Sequence, residues 1–158
     1  VQNEPDGSTQ YASCEYSDLQ MVEVARKVMQ KFKDEGIKAL VGLPESSSLI
    51  STNTYLKQIE KNSPDFLDEM QVILAHSYSY SNTNLDSTNM ERFNVPLLQT
   101  EKNDGPSVKR VNNNDKLLKY SNEITDHLNH NYGAWLYWYG IRKLKKHSNI
   151  KLFSQYIF

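Results

Sequence analysis

The chain has 158 residues, and 18 Lys and Arg against 19 Asp and Glu give it a net charge of −1. This length fits one domain with a hydrophobic core, and the near-neutral charge argues against a general nucleic-acid binder. The charge is uneven, however, because basic side chains outnumber acidic ones in residues 109–158, whereas acidic side chains outnumber basic ones in residues 1–108. Either the two parts pack with complementary charge, or the basic part contacts an anionic partner.

The two ends of the chain and its cysteine content favour secretion of a processed product. The first residue is Val1 and not Met, and the sequence closes on apolar residues. We therefore expect a secreted, extracellular protein cut from a precursor, with a cytoplasmic location as the alternative. Residues 1–9 are predicted to form a disordered tail, and residues 10–158 a single α/β domain. Cys14 is the single cysteine, and an unpaired cysteine in a secreted protein suggests a bridge to another chain.

The predicted elements begin with a strand, a helix and a second strand. Residues 10–16 and 37–43 are the strand candidates. Between them, Ser17 is a good N-cap, and Gln20 completes a capping box with it. Gly36 follows the last periodic residue of the helix and is predicted to end it.

The middle of the chain is predicted to contain a connector, two short helices and a central strand. Residues 44–48 are expected to form an ordinary connector, although hydroxyl-rich loops at helix starts can bind anions. A helix is predicted over residues 54–61, and Ser63-Pro64 is expected to begin another. Residues 71–80 form the strongest strand candidate, with an apolar front half typical of a central strand. A polar loop is expected over residues 81–89.

The last third of the chain is predicted to contain a hairpin, a long helical region and a final strand. Residues 92–100 and 107–111 are expected to pair as the hairpin. Large side chains, most of them apolar, then recur every three or four positions from Leu117 to Trp138. This pattern predicts one long helix, or two helices broken near Gly133. Residues 149–158 are predicted to close the chain as a strand.

Without its insertions, this order reads βαββαβ. It predicts an α+β fold in which an antiparallel or mixed sheet carries helices on one face, the split βαβ or ferredoxin-like arrangement with insertions. The alternative is an α/β three-layer sandwich around a doubly wound parallel sheet.

Residues 131–146 combine both tryptophans with a basic cluster. One interpretation is a central core helix with a solvated basic end. The other is a surface that contacts a membrane or a partner, because Trp and Tyr beside Lys and Arg are typical of interfacial helices. The contact residues on this interpretation are Trp135, Tyr137, Trp138, Tyr139, Arg142, Lys143, Lys145 and Lys146.

The densest cluster of ionisable residues is Glu123, Asp126, His127 and His130. The candidate metal ligands in it are Glu123, His127 and His130. Their spacings of three and four place them on one helical face, where carboxylate and imidazole can share a divalent metal ion. His76 is a further donor from the central strand. No established metal motif is present, so we expect no cofactor, with a divalent metal as the alternative. No catalytic residue is predicted, since neither Cys14 nor the serines beside His76 lie in a recognisable nucleophile site.

The sequence therefore predicts a secreted, proteolytically matured binding domain without catalytic activity. It would be a toxin or effector subunit, in the style of small killer toxins, that acts on a cell surface or membrane. The predicted partners are a protein or second chain joined through Cys14 and a membrane surface, without nucleic acid. One alternative is a small metal-assisted enzyme that uses Glu123, His127 and His130. The other is an intracellular protein-interaction module.

Overall fold

The computed structural model describes residues 2–7, 13–103 and 113–138. Within these ranges, helices and strands alternate along the chain. In chain order they are α1 (Asp18–Asp34), β1 (Gly42–Ser46), α2 (Leu49–Asn62), β2 (Val72–His76), α3 (Asn82–Thr88), β3 (Leu97–Glu101), α4 (Asn113–Asn129) and β4 (Tyr132–Trp135). Short 3-10 helices at Pro64–Asp68 and Met90–Phe93 precede β2 and β3.

The four strands form one parallel sheet in the order β1-β2-β3-β4. The predicted antiparallel or mixed sheet, and with it the split βαβ fold, is therefore wrong. Every connection between described neighbouring strands contains a helix, which gives the chain the length to return and start the next strand in the same direction. Right-handed crossovers in an unbroken strand order place the helices on one face, as in a barrel, whereas a doubly wound sheet reverses its order.

Two specific predictions fail because parallel pairing decides the structure in the last third. The predicted hairpin does not form, since β3 pairs with β2 and β4, and residues 107–111 lie outside the described residues. The predicted long helix also fails, because α4 ends at Asn129 and Asn131 adopts a left-handed backbone with φ 61°. Tyr132 to Trp135 then form a strand against β3. The predicted strand at residues 149–158 lies outside the described residues.

Predictions that depend on local signals succeed more often. Ser17 caps α1 through a capping box with Gln20, and Gly36 follows the helix with φ 67°. Pro64 begins a 3-10 helix as its position predicted, and β2 lies inside the predicted strand 71–80. The first βαβ unit is wrong, however, because neither the described part of 10–16 nor residues 37–41 is a strand.

The sheet buries one face against the helices. Leu43, Ile73, Leu97 and Tyr132 are neighbours across the four strands, and all four belong to the hydrophobic core. Leu74, Leu98 and Ala134 form the next row on the opposite face and are only half-buried. The helix-covered face therefore supplies most of the apolar burial that holds the strands in register.

In the described ranges, none of the helices is both apolar enough and long enough to cross a membrane.

Gly42 in β1 and Gly133 in β4 provide a matched test of how closely side chains of the neighbouring strand pack against each glycine. A Cβ atom at Gly42 would overlap the Leu74 side chain, whereas one at Gly133 would meet Leu98 Cδ2 at an ordinary 3.6 Å. We expect Gly42→Ala to lower the free energy of unfolding by about 1–3 kcal/mol through overpacking. Gly133→Ala should leave it unchanged or raise it by about 0.5 kcal/mol. Urea unfolding of both variants measures this difference. Equal effects would contradict the close packing of Leu74 against Gly42.

Candidate active site at the carboxyl edge of the sheet

Ionisable side chains follow one another along the carboxyl edge of the sheet. Glu45 lies near the end of β1, and His76 and Glu101 are the last residues of β2 and β3. Parallel strands end at the same edge, so residues that are far apart in sequence meet there. In parallel barrels this is the edge that carries the active site.

His76 is the centre of the cluster and is fully buried. Its Nδ1 lies 3.0 Å from Glu4 Oε1, and its Nε2 lies 3.2 Å from Glu45 Oε1. Glu101 Oε2 is 3.8 Å from the same Nε2 atom. Only a protonated imidazole has an N–H on both nitrogens, so the imidazolium can donate to Glu4 and Glu45 at once.

The charges around His76 determine its protonation. Burial by itself lowers the pKa of His76, because it penalises the charged ring. The hydrogen bond with Glu45, the charges of Glu101 and Glu45 and the hydrogen bond with Glu4 outweigh that effect and raise the pKa above its usual value. The site therefore favours a positive charge between the carboxylates.

Glu4 reaches the cluster from the N-terminal segment, residues 2–7. Its backbone N–H donates to the Glu45 carbonyl over 3.0 Å. Both glutamates have a left-handed backbone, with φ 45° at Glu4 and 64° at Glu45. This conformation is unfavourable for residues other than glycine and is concentrated at functional sites, where the surroundings hold it in place.

The carboxyl groups of Glu4 and Glu101 lie at close range. One ligand atom from each of Glu4, His76 and Glu101 lies within 4.8 Å of the other two. Two carboxylates at such a separation can act as a nucleophile and an acid–base group on the two atoms of one scissile bond. The same three donors could instead hold a divalent cation, because imidazole and carboxylate are common ligands of such ions.

Tyr78 orients the carboxylate of Glu101. Its hydroxyl donates to Glu101 Oε1 over 2.5 Å and accepts from Asn103 Nδ2 over 3.1 Å. Thr100 similarly donates to Glu45 Oε1 over 2.8 Å. These bonds limit the rotation of both glutamates, as a preorganised site requires.

A buried ion pair lies behind this edge. Lys102 Nζ donates to the Ser77 carbonyl over 2.5 Å and lies 3.7 Å from Glu123 Oε2. The Ser77 hydroxyl donates to Glu123 Oε1 over 2.6 Å. Burial raises the pKa of Glu123, although the Ser77 hydroxyl and the Lys102 charge oppose that effect. Glu123 thus connects α4 to the ends of both β2 and β3.

Removal of the Lys102 side chain should show how much its positive charge stabilises the buried Glu123 carboxylate. We expect Lys102→Met to destabilise the fold by about 3–5 kcal/mol at neutral and alkaline pH, because Glu123 is then buried without a counter-charge. The loss should shrink in acid, where Glu123 can be protonated. Urea unfolding at several pH values measures it. Lys27→Met, which breaks an exposed pair with Glu23, is the control, and an equal loss in both variants would contradict the assignment.

The three residues of the predicted metal cluster on α4 each contact a different set of groups. Glu123 is engaged by Ser77 and Lys102 as described above. His127 is fully buried, and its Nδ1 donates to the Glu123 carbonyl over 2.7 Å. His130 Nε2 lies 3.0 Å from Asp86 Oδ1. Within the described ranges, the donors that converge are those of Glu4, His76 and Glu101, and the α4 metal site stays a prediction.

The two α4 histidines should contribute to stability with opposite pH dependence. Burial lowers the pKa of His127 to about 4, so its contribution is present above about pH 6.5 and is lost as pH falls towards 4. The hydrogen bond to the Asp126 carbonyl and the contact with Asp86 raise the pKa of His130, so its contribution is lost as pH rises.

Substitution by glutamine tests this assignment. The free energy of unfolding of the wild-type protein should fall by about 3 kcal/mol between about pH 6.5 and 4 because of His127. His127→Gln should remove this part of the pH dependence. His130→Gln is the matched control and should keep that fall. Urea unfolding across the pH range measures both slopes, and a wild-type slope in His127→Gln would refute the burial-driven shift.

The aromatic residues predicted as a contact surface divide between interior and exterior. Trp135 is buried and stacks against Tyr137 with their ring centres 6.3 Å apart, and Tyr120 packs on both rings. Trp138 is 42% exposed. The contact role stays a prediction, and its other members, Tyr139, Arg142, Lys143, Lys145 and Lys146, lie outside the described residues.

The prediction of a second chain linked through Cys14 is corrected by the structure. Cys14 is the single cysteine of the sequence, and its thiol is exposed and free. Its Sγ contacts only the neighbouring Glu15 carbonyl, at 3.9 Å, among the contacts of the described residues. The structure therefore gives no support to a second chain joined through Cys14.

Glu4, Glu45 and Glu101 were not among the functional residues predicted from the sequence. Glu101 and His76 each end a mostly apolar run, and Glu45 closely follows one. This is a usable signal, but only if the strands are taken as parallel. An antiparallel sheet places successive strand ends at opposite edges, so the signal had no meaning in the predicted fold. Glu4 lies in a short polar segment that carries no pattern.

Two glycoside hydrolases are among the solved structures that match this chain. A GH30 endoxylanase from Clostridium papyrosolvens C71 aligns with a TM-score of 0.60 and 24% identity, over 88% of this chain and 33% of that chain. An endo-β1,6-glucanase aligns with a TM-score of 0.71 and 16% identity, over 87% of this chain and 32% of that chain. This chain therefore has the fold of part of a parallel barrel and spans about a third of each of these proteins.

No protein-family model and no curated protein matches the chain.

Proposed function

We propose that this chain carries the two catalytic carboxyl groups of a glycoside hydrolase, Glu4 and Glu101. The observation that carries the proposal is the close approach of these groups, with ligand atoms within 4.8 Å, at the carboxyl edge of a parallel sheet. The likeness of the fold to two glycosidases supports it. Both carboxylates are mostly buried, with side chains 16% and 11% exposed, which favours chemistry away from bulk water.

The separation of the two groups favours cleavage with retention of configuration. Retaining enzymes hold their carboxyl groups about 5–5.5 Å apart, whereas inverting enzymes need about 6.5–9.5 Å to admit a water molecule. The ligand atoms of Glu4 and Glu101 lie within 4.8 Å of each other, which is closer than the range of inverting enzymes. The reaction would therefore pass through a covalent glycosyl ester.

Glu101 has the contacts of the nucleophile. The Tyr78 hydroxyl holds one of its oxygens, and His76 Nε2 lies 3.8 Å from the other. In the first step a Glu101 oxygen bonds to the anomeric carbon, and the bond from that carbon to the leaving oxygen breaks with its electron pair. A proton passes from Glu4 to the leaving oxygen.

Glu4 has the contacts of the acid–base group. It lies 3.0 Å from His76 Nδ1, so the two groups can share the proton that the leaving oxygen needs. In the second step Glu4 takes a proton from water, and the water oxygen bonds to the anomeric carbon. The ester bond to Glu101 then breaks, which restores both carboxyl groups.

The two similar structures suggest the substrate class. One is named as an endoxylanase and the other as an endo-β1,6-glucanase, so each acts within a polysaccharide backbone. We propose an internal glycosidic bond of such a polymer as the substrate.

Azide rescue distinguishes the two roles. We expect Glu101→Ala and Glu4→Ala each to lower cleavage of dinitrophenyl xylobioside or gentiobioside, Glu101→Ala by on the order of a thousandfold or more. Azide should restore Glu101→Ala by direct attack and give an inverted glycosyl azide. In Glu4→Ala it should release the glycosyl ester and give a retained glycosyl azide. Product stereochemistry by NMR measures this outcome.

Glu23→Gln is the control, because Glu23 forms only an exposed pair with Lys27 on α1. It should cleave both glycosides at the wild-type rate. Wild-type activity in Glu101→Ala, or products of inverted configuration from the wild-type protein, would refute the proposal.

The prediction of a secreted, matured binding domain of the toxin type stays a prediction. Neither the contacts described above nor the similar folds bear on secretion, on a receptor or on a cell surface.

A further inference from the structure

Glu4 depends on a short segment for its position. Residues 2–7 contain neither helix nor strand, so no ladder of backbone hydrogen bonds holds them. The Glu4 N–H bonds to the Glu45 carbonyl, and the Tyr55 hydroxyl donates to the Pro5 carbonyl over 2.8 Å. Because Glu4 also has a left-handed backbone, its side-chain position requires further anchoring nearby.

Asp6 supplies that anchor. Its Oδ1 accepts from the Ser47 N–H over 2.9 Å, and its Oδ2 accepts from the Ser47 hydroxyl over 2.6 Å. Ser47 immediately precedes Ser48, the N-cap of α2, so the carboxylate lies at a helix N-terminus, which favours negative charge. Burial raises the pKa of Asp6, but the bonds from Ser47 and the Ser51 hydroxyl outweigh this effect and lower it overall.

We propose that Asp6 is a positioning residue that holds the carboxyl group of Glu4 against His76 and opposite Glu101 through its paired hydrogen bonds to Ser47. Only Pro5 separates Glu4 from Asp6, and its ring restricts the backbone between them. A displacement of Asp6 is therefore transmitted to Glu4. The effect on catalysis rests on the function proposed above, whereas the effect on the Glu4–His76 contact does not.

The proposed role predicts a dependence on the leaving group. A glycoside with a poor leaving group needs the proton from Glu4, whereas a dinitrophenyl glycoside departs without one. Misplacement of the acid therefore lowers kcat/KM for the first class and spares kcat/KM for the second, because kcat/KM reports the first step. General loss of structure slows both classes alike.

Paired aryl glycosides measure this dependence in the full chain. We expect Asp6→Ala to lower kcat/KM for phenyl xylobioside or phenyl gentiobioside at least about tenfold, since general acid catalysis contributes on the order of a hundredfold or more. The dinitrophenyl glycosides of the same sugars should change less than about threefold. Asp6→Asn, which keeps one oxygen acceptor for Ser47, should restore part of the loss.

Asp34→Ala is the control variant. Asp34 is an exposed residue at the end of α1, and its carboxylate accepts a hydrogen bond from Gln30. It should leave both substrate classes unchanged. Equal losses for both substrates in Asp6→Ala, or no loss for either, would overturn the positioning role.

A second measurement does not depend on glycosidase activity. The titration of the His76 ring, followed by NMR, should move to lower pH in Glu4→Gln, because the ring loses a charged partner. Asp6→Ala should move it in the same direction and add nothing in the Glu4→Gln background. An unchanged His76 titration in Asp6→Ala would overturn the positioning role. A shifted titration in a protein that cleaves neither glycoside would instead count against the proposed function alone.

Discussion

A single buried imidazole holds the carboxyl edge of this sheet together. His76 contacts Glu4 and Glu45 through its two nitrogens and has Glu101 within 3.8 Å. Carboxylates this close repel one another strongly in a buried environment unless a positive charge lies between them. A protonated His76 provides that charge, and the edge can then retain several acidic groups close together.

The hydrophobic part of the fold makes this concentration of charge possible. Four parallel strands pack one face against the helices through the row of residues that contains Ile73 and Leu97, so their ends are held at one edge. Behind that edge, the Lys102–Glu123 pair joins α4 to the strand ends. Apolar packing thus supplies the rigidity, and short polar links supply the orientation of each side chain.

Local and long-range signals differed in what they could predict. The capping box at Ser17 and the helix start at Pro64 depend on neighbours within a few residues, so they could be predicted. The strand at Tyr132 could not, because its residues also fit a helical period and only pairing with β3 decides between the two. The error at β4 and the expected hairpin together produced the wrong sheet, and the candidate site was missed as a result.

By itself, the sequence determined the local elements: the length and start of α1, the central strand β2, and a free cysteine without an internal partner. These follow from short-range hydrogen bonding, apolar periodicity and composition. Only the tertiary structure decided that Glu4, His76 and Glu101 meet, although 97 positions separate the first from the last. Strand direction and the docking of residues 2–7 create that contact. Both result from the burial of distant side chains together, which no local pattern encodes.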